Sequence, residues 1–375
     1  MYTKCTKLLI IVAVIAVAVV AIFALPSVRQ PSDPRPVVKI GISLPLSGNN
    51  AFIGVPTREA AQMAWEDWQK KDTKYRYELI FEDDGFDQKK VSMIGNKFVN
   101  RDKANAIMGI WTLTLHQFRE LAHKANIPFF ACGWAHDASD GKLVFNNQTP
   151  LSETSRAFAE IVKNKYKAKN VALIGMISGG DFAMHDYIEA ELKKIGTNLV
   201  LKETAQYGTT DFGMIIQKIK QKNPGAVIAI LPPYELSIFT KRLHEAGLNI
   251  PITNVADYFE FAPNPEIFEG MYAAVSSNGT DEFKQRFEER TGKPFPSYDC
   301  VAPGYDNVDI LIYAFENAEA EPGKIPTTEA VVKVIKGIKN WRGATMSDMR
   351  VQPDGQIFSP AYVGVMKNGK AEAVK

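Results

Sequence analysis

The side chains that could do chemistry lie in loops at the ends of apolar runs. These loops are Pro45–Gly54, Asp83–Phe86, Trp111–Thr114, Gly133–Asp140, Ser178–Phe182, Pro232–Tyr234 and Ala256–Glu260. They hold glycine, serine and threonine, the aromatic residues Phe52, Trp111, Trp134, Phe182 and Tyr234, and the carboxylate of Asp257. Small residues let a backbone approach a ligand closely, rings cover apolar surface, and a carboxylate meets a cation or a donor. Such a set suits capture of a small, partly apolar solute with one or two polar ends.

The same residues do not suit catalysis. No Gly-x-Ser-x-Gly elbow occurs, and Ser178-Gly179-Gly180 lacks the lysine and the spacing of a phosphate-cradling loop. His116, His123, His136, His185 and His244 show no metal-ligand spacing. The acid run Glu82-Asp83-Asp84 ends a strand, where neighbouring side chains point to opposite faces, so a solvated strand end is expected rather than a metal or acid–base pair. The expectation is a protein that is not an enzyme, with no cofactor and no metal.

The elements that must position these loops follow from periodicity. Val37–Leu44 reads as a buried strand and Arg58–Lys70 as a helix, with Ala61, Ala64, Trp65 and Trp68 at helical spacing. Tyr77–Phe81, Ala104–Ile110 and Ile127–Cys132 are further strands, with helices over Lys89–Asn100 and His116–Lys124. The rhythm repeats after Pro150. Helices over Ser152–Lys167, Ala183–Ile195, Phe212–Lys222 and Glu235–Ala246 alternate with strands over Val171–Met176, Leu199–Thr204, Ala226–Leu231 and Ile250–Asn254. Strands alternating with helices predict an α/β protein with parallel sheets built of right-handed crossovers. Two such series fit two similar lobes, over 37–150 and 151–279. In open parallel sheets ligands bind beyond the carboxyl ends of the strands, which is where the loops above lie. The tail departs from the rhythm. Helices are expected over Asp281–Arg290, Ser297–Ala318 and Thr327–Lys339, then a hairpin of Met349–Gln352 with Ile357–Met366 around Pro353-Asp354-Gly355.

Composition narrows the setting. At 375 residues, 46% hydrophobic and 23% charged, the chain is long enough for two globular units and ordinary in make-up. Lys4, Lys7 and Arg29 stand in the first 30 residues, which carry no acids. Setting those three aside from the 44 basic residues leaves the body one short of its 42 acids, so nothing favours nucleic acid. Lys4 and Lys7 precede an unbroken apolar run from Leu8 to Leu25, closed by Pro26. A basic head before an apolar core reads as a signal peptide or, at this length, an N-terminal membrane anchor over 1–30. Either places the body outside the cytoplasm. Residues 31–36 continue a proline-rich linker. Of three cysteines, Cys132 and Cys300 are expected as buried thiols, with pairing in an oxidising compartment the alternative.

Together these residues resemble the type I periplasmic solute-binding proteins of ABC transporters, in the branch of the leucine/isoleucine/valine receptors. The matching stretches are Lys39-Ile40-Gly41 through Pro45-Leu46-Ser47-Gly48, with Ala51 and Gly54; Asp83-Asp84-Gly85; Gly109 with Thr112; and Ala125-Asn126-Ile127-Pro128. In the second half they are Thr210-Asp211-Phe212, Ala226-Val227-Ile228, Glu245-Ala246-Gly247, Gly304-Tyr305-Asp306 and Asp354-Gly355. The resemblance implies two Rossmann-like lobes joined by a three-crossing hinge, with a ligand cleft between them. Each lobe would be discontinuous, about 280–340 returning to the first and about 341–375 to the second. It implies that Thr112 and Gly133–Ala135 hold a solute carboxylate, that Asp257 holds an ammonium, and that Phe182 and Tyr234 cover the solute on closure. One stretch departs from the pattern: Gly133-Trp134-Ala135-His136 stands where amino-acid binders carry a small residue and then threonine. Ala135 has no hydroxyl and Trp134 adds bulk, which admits flat or aromatic ligands, or a carboxylate held mainly by backbone N–H groups. The implied partners are a small-molecule solute and the membrane permease subunits of an importer, with the chain itself a monomer in the periplasm or on the extracytoplasmic face of the inner membrane. The alternative is the ligand-sensing subunit of a signalling receptor.

Overall fold

Burial on both faces turns the apolar runs into strands, the pattern of parallel sheets covered by helices. The computed structural model describes residues 33–176, 179–206, 208–276, 279–296 and 300–374, excluding the side chains of residues 49 and 179–183. The leader expected over 1–30 and the start of the linker lie outside the described residues. Met1–Arg35 is one unit, in whose described part Arg35 pairs with Asp33 at 2.6 Å; Pro36–Lys375 is the other.

The first lobe begins with β1 (Val37–Leu44), α1 (Ala51–Gln69), β2 (Arg76–Asp83) and α2 (Gln88–Asn96). It continues with β3 (Ala106–Ile110), α3 (Trp111–Ala125), β4 (Phe129–Cys132) and β5 (Val144–Asn146). The strands form a five-stranded parallel sheet in the order β2-β1-β3-β4-β5. Alternation sorts its side chains. Ile40, Ile42, Met108 and Phe130 pack toward α1, while Ile107, Phe129 and Val144 pack with Phe98 and Phe118 on the other face. Helix α1 starts at Ala51, earlier than the expected Arg58, and takes Pro56 inside it. Ile53, Thr57, Ala61, Ala64 and Trp68 are buried at helical spacing, so the apolar stripe already runs through the first turn and outweighs one missing N–H.

The second lobe holds α4 (Leu151–Glu160), β6 (Asn170–Met176), α5 (Gly179–Lys194), β7 (Asn198–Ala205) and α6 (Gly213–Lys222). Then come β8 (Ala226–Ile230), α7 (Pro233–Glu245), β9 (Ile252–Val255), α8 (Ala256–Glu260) and β10 (Tyr272–Ser276). Strands β5 and β10, of three and five residues, are too short for periodicity to mark them.

The tail divides. Helices α9 (Asp281–Thr291), α10 (Val301–Asn317) and α11 (Thr328–Lys336) bring Phe283, Val301, Ile312, Phe315 and Val331 into the core that backs β1. The expected hairpin forms between β11 (Arg350–Val351) and β12 (Ile357–Phe358), and Met349 and Ile357 join that same core. It does not run on to Met366, because Ser359-Pro360 interrupts the ladder and proline offers no N–H. Instead β13 (Ala361–Lys367) pairs antiparallel with β10, and β14 (Lys370–Ala373) folds back on it. That turn is Asn368-Gly369, with φ of 51° and 75°, the positive pair a two-residue hairpin needs. The second sheet thus has seven strands, β14-β13-β10-β9-β8-β6-β7.

The chain passes between the sheets three times, after β5, after β10 and after β12. Polar side chains tie the first and third crossings. Gln356 Nε2 donates to the Asn146 and Gln148 carbonyls at 3.0 and 2.7 Å, and the Thr149 and Ser359 hydroxyls lie 3.2 Å apart. Gly355 makes this possible. Its φ is 85°, and a Cβ there would fall 2.7 Å from the Val144 carbonyl oxygen.

Candidate functional site

The carboxyl ends of the first sheet are organised by the acids expected at a solvated strand end. Asp83 Oδ1 accepts from the Leu46, Ser47 and Gly85 N–H groups at 2.8, 3.2 and 3.0 Å, locking the loop after β1 to the loop after β2. Burial works to raise this carboxyl, but those donors and the Ser47 hydroxyl outweigh it and hold it below the usual carboxylate range. Asp84 is buried, accepting from the Ser43 hydroxyl and the Phe86 N–H at 2.8 Å each, and burial pushes its carboxyl up. Glu82 pairs with Lys97 at 2.8 Å. The run Glu82-Asp83-Asp84 is therefore no solvated strand end: the turn after β2 presents N–H donors that draw two of the three acids inward.

Next to it, Trp111–Thr114 is the first turn of α3 rather than a loop, because β3 runs straight into the helix. The junction puts Trp111 in left-handed backbone, φ 64°, and Phe86 shares that conformation at φ 59°. Such a conformation costs a non-glycine residue about 1–3 kcal/mol and clusters at functional sites. The two strained residues meet edge to face, ring centroids 4.8 Å apart. Phe86 is a site feature that sequence reading placed in a loop but did not single out; its only signal was the Gly85-Phe86 pair after the acids.

The loop after β4 is held from several sides. Thr112 Oγ1 donates to the Trp134 carbonyl at 2.8 Å, and the Gly133 N–H donates to Asn146 Oδ1 at 3.1 Å. Gly133 lies so close to α3 that a Cβ would fall 2.9 Å from the Trp111 carbonyl carbon. Cys132 and Cys300, expected as separate thiols, are joined in a disulfide with Cα atoms 5.8 Å apart. The strand end of β4 and the N-terminus of α10 meet there, a proximity that 168 residues of intervening sequence could not reveal. Ala135 is buried in the first lobe's core, while Trp134 packs against the core of the second lobe around Leu151, Phe158 and Met184. His136 also reaches across. Its Nε2 lies 3.1 Å from Asp186 Oδ2, and its ring stacks on Tyr187 with centroids 5.6 Å apart.

A second contact joins the lobes at α1. Phe52, 42% exposed, stacks on Phe261 of the second lobe with centroids 6.3 Å apart and planes 22° from parallel. Phe261 follows α8, whose first turn carries Asp257, buried at 7% exposure. The residue capping that helix is Val255, so Asp257 is not its N-cap. Tyr234 stands exposed in the first turn of α7, and the Phe182 side chain lies outside the described residues. Among the described residues, no group of three or more His, Cys, Asp or Glu could hold a metal ion, and no helix is long and apolar enough to cross a membrane.

The structure thus brings Trp111, Thr112, Gly133 and Trp134 together at one edge and sets Phe52 beside the segment that bears Asp257. Known proteins are similar to this chain in sequence or in fold. An amino acid binding protein of Pseudomonas aeruginosa is 26% identical over 321 residues, 81% of this chain and 86% of that protein. The branched-chain amino acid transporter substrate binding protein LivJ from Streptococcus pneumoniae, solved with isoleucine, has a TM-score of 0.76 at 20% identity, covering 90% of this chain and 98% of its own. The leucine binding protein LivK from Thermotoga maritima has a TM-score of 0.78 at 19% identity, with the same coverage. A solute binding protein of an ABC transporter from R. palustris, in complex with benzoate, has a TM-score of 0.77 at 16% identity, covering 90% of this chain and 95% of its own. These structural likenesses speak to fold, and the fold is theirs: an α/β protein of two lobes with parallel sheets. The periplasmic binding protein model matches residues 37–371, taking in both sheets and all three crossings, and the chain belongs to that family.

Proposed function

We propose that this chain is the extracytoplasmic solute-binding subunit of an ABC importer, of the branched-chain amino acid receptor type, without catalytic activity. It takes an amino acid or a related small carboxylate, aromatic acid or amide between its lobes and hands it to membrane permease subunits. The observation that carries the reading is a pair of contacts between the two lobes, Phe52 of α1 on Phe261 after α8, and His136 of the loop after β4 on Tyr187 and Asp186 of α5. Lobes that touch beyond the carboxyl ends of their strands can enclose a small molecule there and part again by hinge motion. The relatives support the solute class, since one is named for amino acids and others were solved with isoleucine and with benzoate. The buried disulfide supports the location, because such bonds persist in oxidising compartments outside the cytoplasm.

In this reading Thr112 and the Gly133–Ala135 loop serve the solute's carboxylate end. Asp257 receives an ammonium where the solute has one, and Phe52, Trp111, Trp134, Phe182 and Tyr234 enclose its body. A thermal-shift screen of amino acids and small organic acids tests the function, because a bound solute raises the melting temperature by mass action. Removing one partner of a buried charge pair costs about 2–5 kcal/mol, so Asp257→Asn should weaken an ammonium-bearing solute at least tenfold by calorimetry. A protein whose melting temperature no such compound moves would refute the reading, and an unchanged dissociation constant in Asp257→Asn would remove that residue from the site.

A further inference from the structure

The polar groups expected to receive a solute carboxylate on the first lobe are mostly committed elsewhere. The Thr112 hydroxyl gives its proton to the Trp134 carbonyl, and the Gly133 N–H is bonded to Asn146. Ala135 has no side-chain donor. This loop also carries the indole N–H of Trp134. Its Nε1 is buried and has no acceptor among the described residues. A buried donor without a partner is uncommon in native proteins and destabilises the state that contains it. The loop around it is not loose: the disulfide at Cys132, the Thr112 hydroxyl and the packing of the ring on the second lobe all fix its place. The empty bond is therefore built into a rigid loop at the lobe junction.

We infer that the Trp134 indole N–H is the first lobe's side-chain donor to the solute, and that it takes a carboxylate oxygen where Ala135 offers no hydroxyl; the inference rests on the solute-binding reading above. An indole N–H donates one bond and carries no charge, so it fixes the direction of the carboxylate and leaves its charge to other groups.

The test uses the oxidised full-length protein, calorimetry, and isoleucine and benzoate as probes, which share a carboxylate and differ in the ammonium. Trp134→Phe keeps an aromatic ring and deletes the donor. It should weaken whichever probe binds the wild type at least tenfold, and the probe-free melting temperature should hold or rise, because the unmatched donor is gone. A residue with only a packing role would lower that temperature and leave affinity nearly unchanged. Independently of any variant, the sequentially assigned Trp134 indole resonance in 1H–15N spectra should move downfield on probe addition. Equal affinity in Trp134→Phe, or an indole resonance that does not move, overturns the inference and leaves solute binding intact. A wild type that binds neither probe overturns the carboxylate assignment itself.

Discussion

Removing the disulfide should cost this protein several kilocalories per mole, almost all of it through the unfolded chain. Cys132 closes β4 and Cys300 opens α10, and the 168-residue separation between them takes in nearly the whole second lobe. Cross-linking a loop of that length removes chain entropy from the unfolded ensemble worth about 5 kcal/mol, with measured losses of native disulfides at roughly 2–5 kcal/mol. Both sulfurs are buried in the first lobe's core, so Cys→Ala adds a small packing loss. For a body of roughly 340 residues the unfolding entropy is near 0.7 kcal/mol per degree, so a loss of about 3–5 kcal/mol lowers the melting temperature by roughly 4–7 °C. The assay is thermal and urea unfolding of the wild type beside Cys132→Ala/Cys300→Ala. Wild type refolded under reductant serves as a third sample, to separate the cross-link from the packing loss. Reduced and oxidised wild type melting within about 1 °C of each other would refute the entropic argument.

The ring pair across the lobes is open to a double-mutant cycle. Phe52→Ala and Phe261→Ala should couple by roughly 0.5–1.5 kcal/mol in urea unfolding, and strictly additive losses would show that the rings do not support each other. Stability should also depend on His185, which burial first and Lys202 second hold down to about 4 from an ordinary 6.5. A depressed folded value means that its contribution is complete above pH 6.5 and is lost as pH falls toward 4, by about 3 kcal/mol in all. Asp306 works in the opposite direction, since burial pushes it up to about 7 and its contribution is lost as pH rises from 3.8 toward that value. Comparing urea midpoints of wild type and His185→Gln between pH 6.5 and 4 isolates the histidine; parallel pH profiles would contradict the assignment.

Much of this architecture can be read without coordinates. The alternation of runs such as Val37–Leu44 and Ala226–Ile230 with amphipathic stretches is a local property, and burial on both faces leaves it little freedom, so the α/β class and the doubled series follow from it. The positions of the candidate residues at strand carboxyl ends follow too, because the turn that ends a buried strand is written in nearby glycines and prolines. Element boundaries follow less directly from local pattern: α1 starts before Pro56 because burial of Ile53 outweighs the proline, and Trp111 enters a helix rather than a loop.

The contacts that make a site lie beyond that local reach. That Asp83 turns inward to collect three N–H groups depends on where the loop after β1 lies. That Cys132 meets Cys300, Phe52 meets Phe261 and His136 meets Asp186 depends on the three returns of the chain, and short-range periodicity carries no term for residues far apart in sequence. Local sequence is enough to set the layers and to put the candidate loops at the carboxyl ends of the strands. Which polar groups there are already bonded to each other and which, like the Trp134 N–H, have no acceptor among the described residues is settled by tertiary packing, because a donor is satisfied or unsatisfied by what packs within about 3 Å of it.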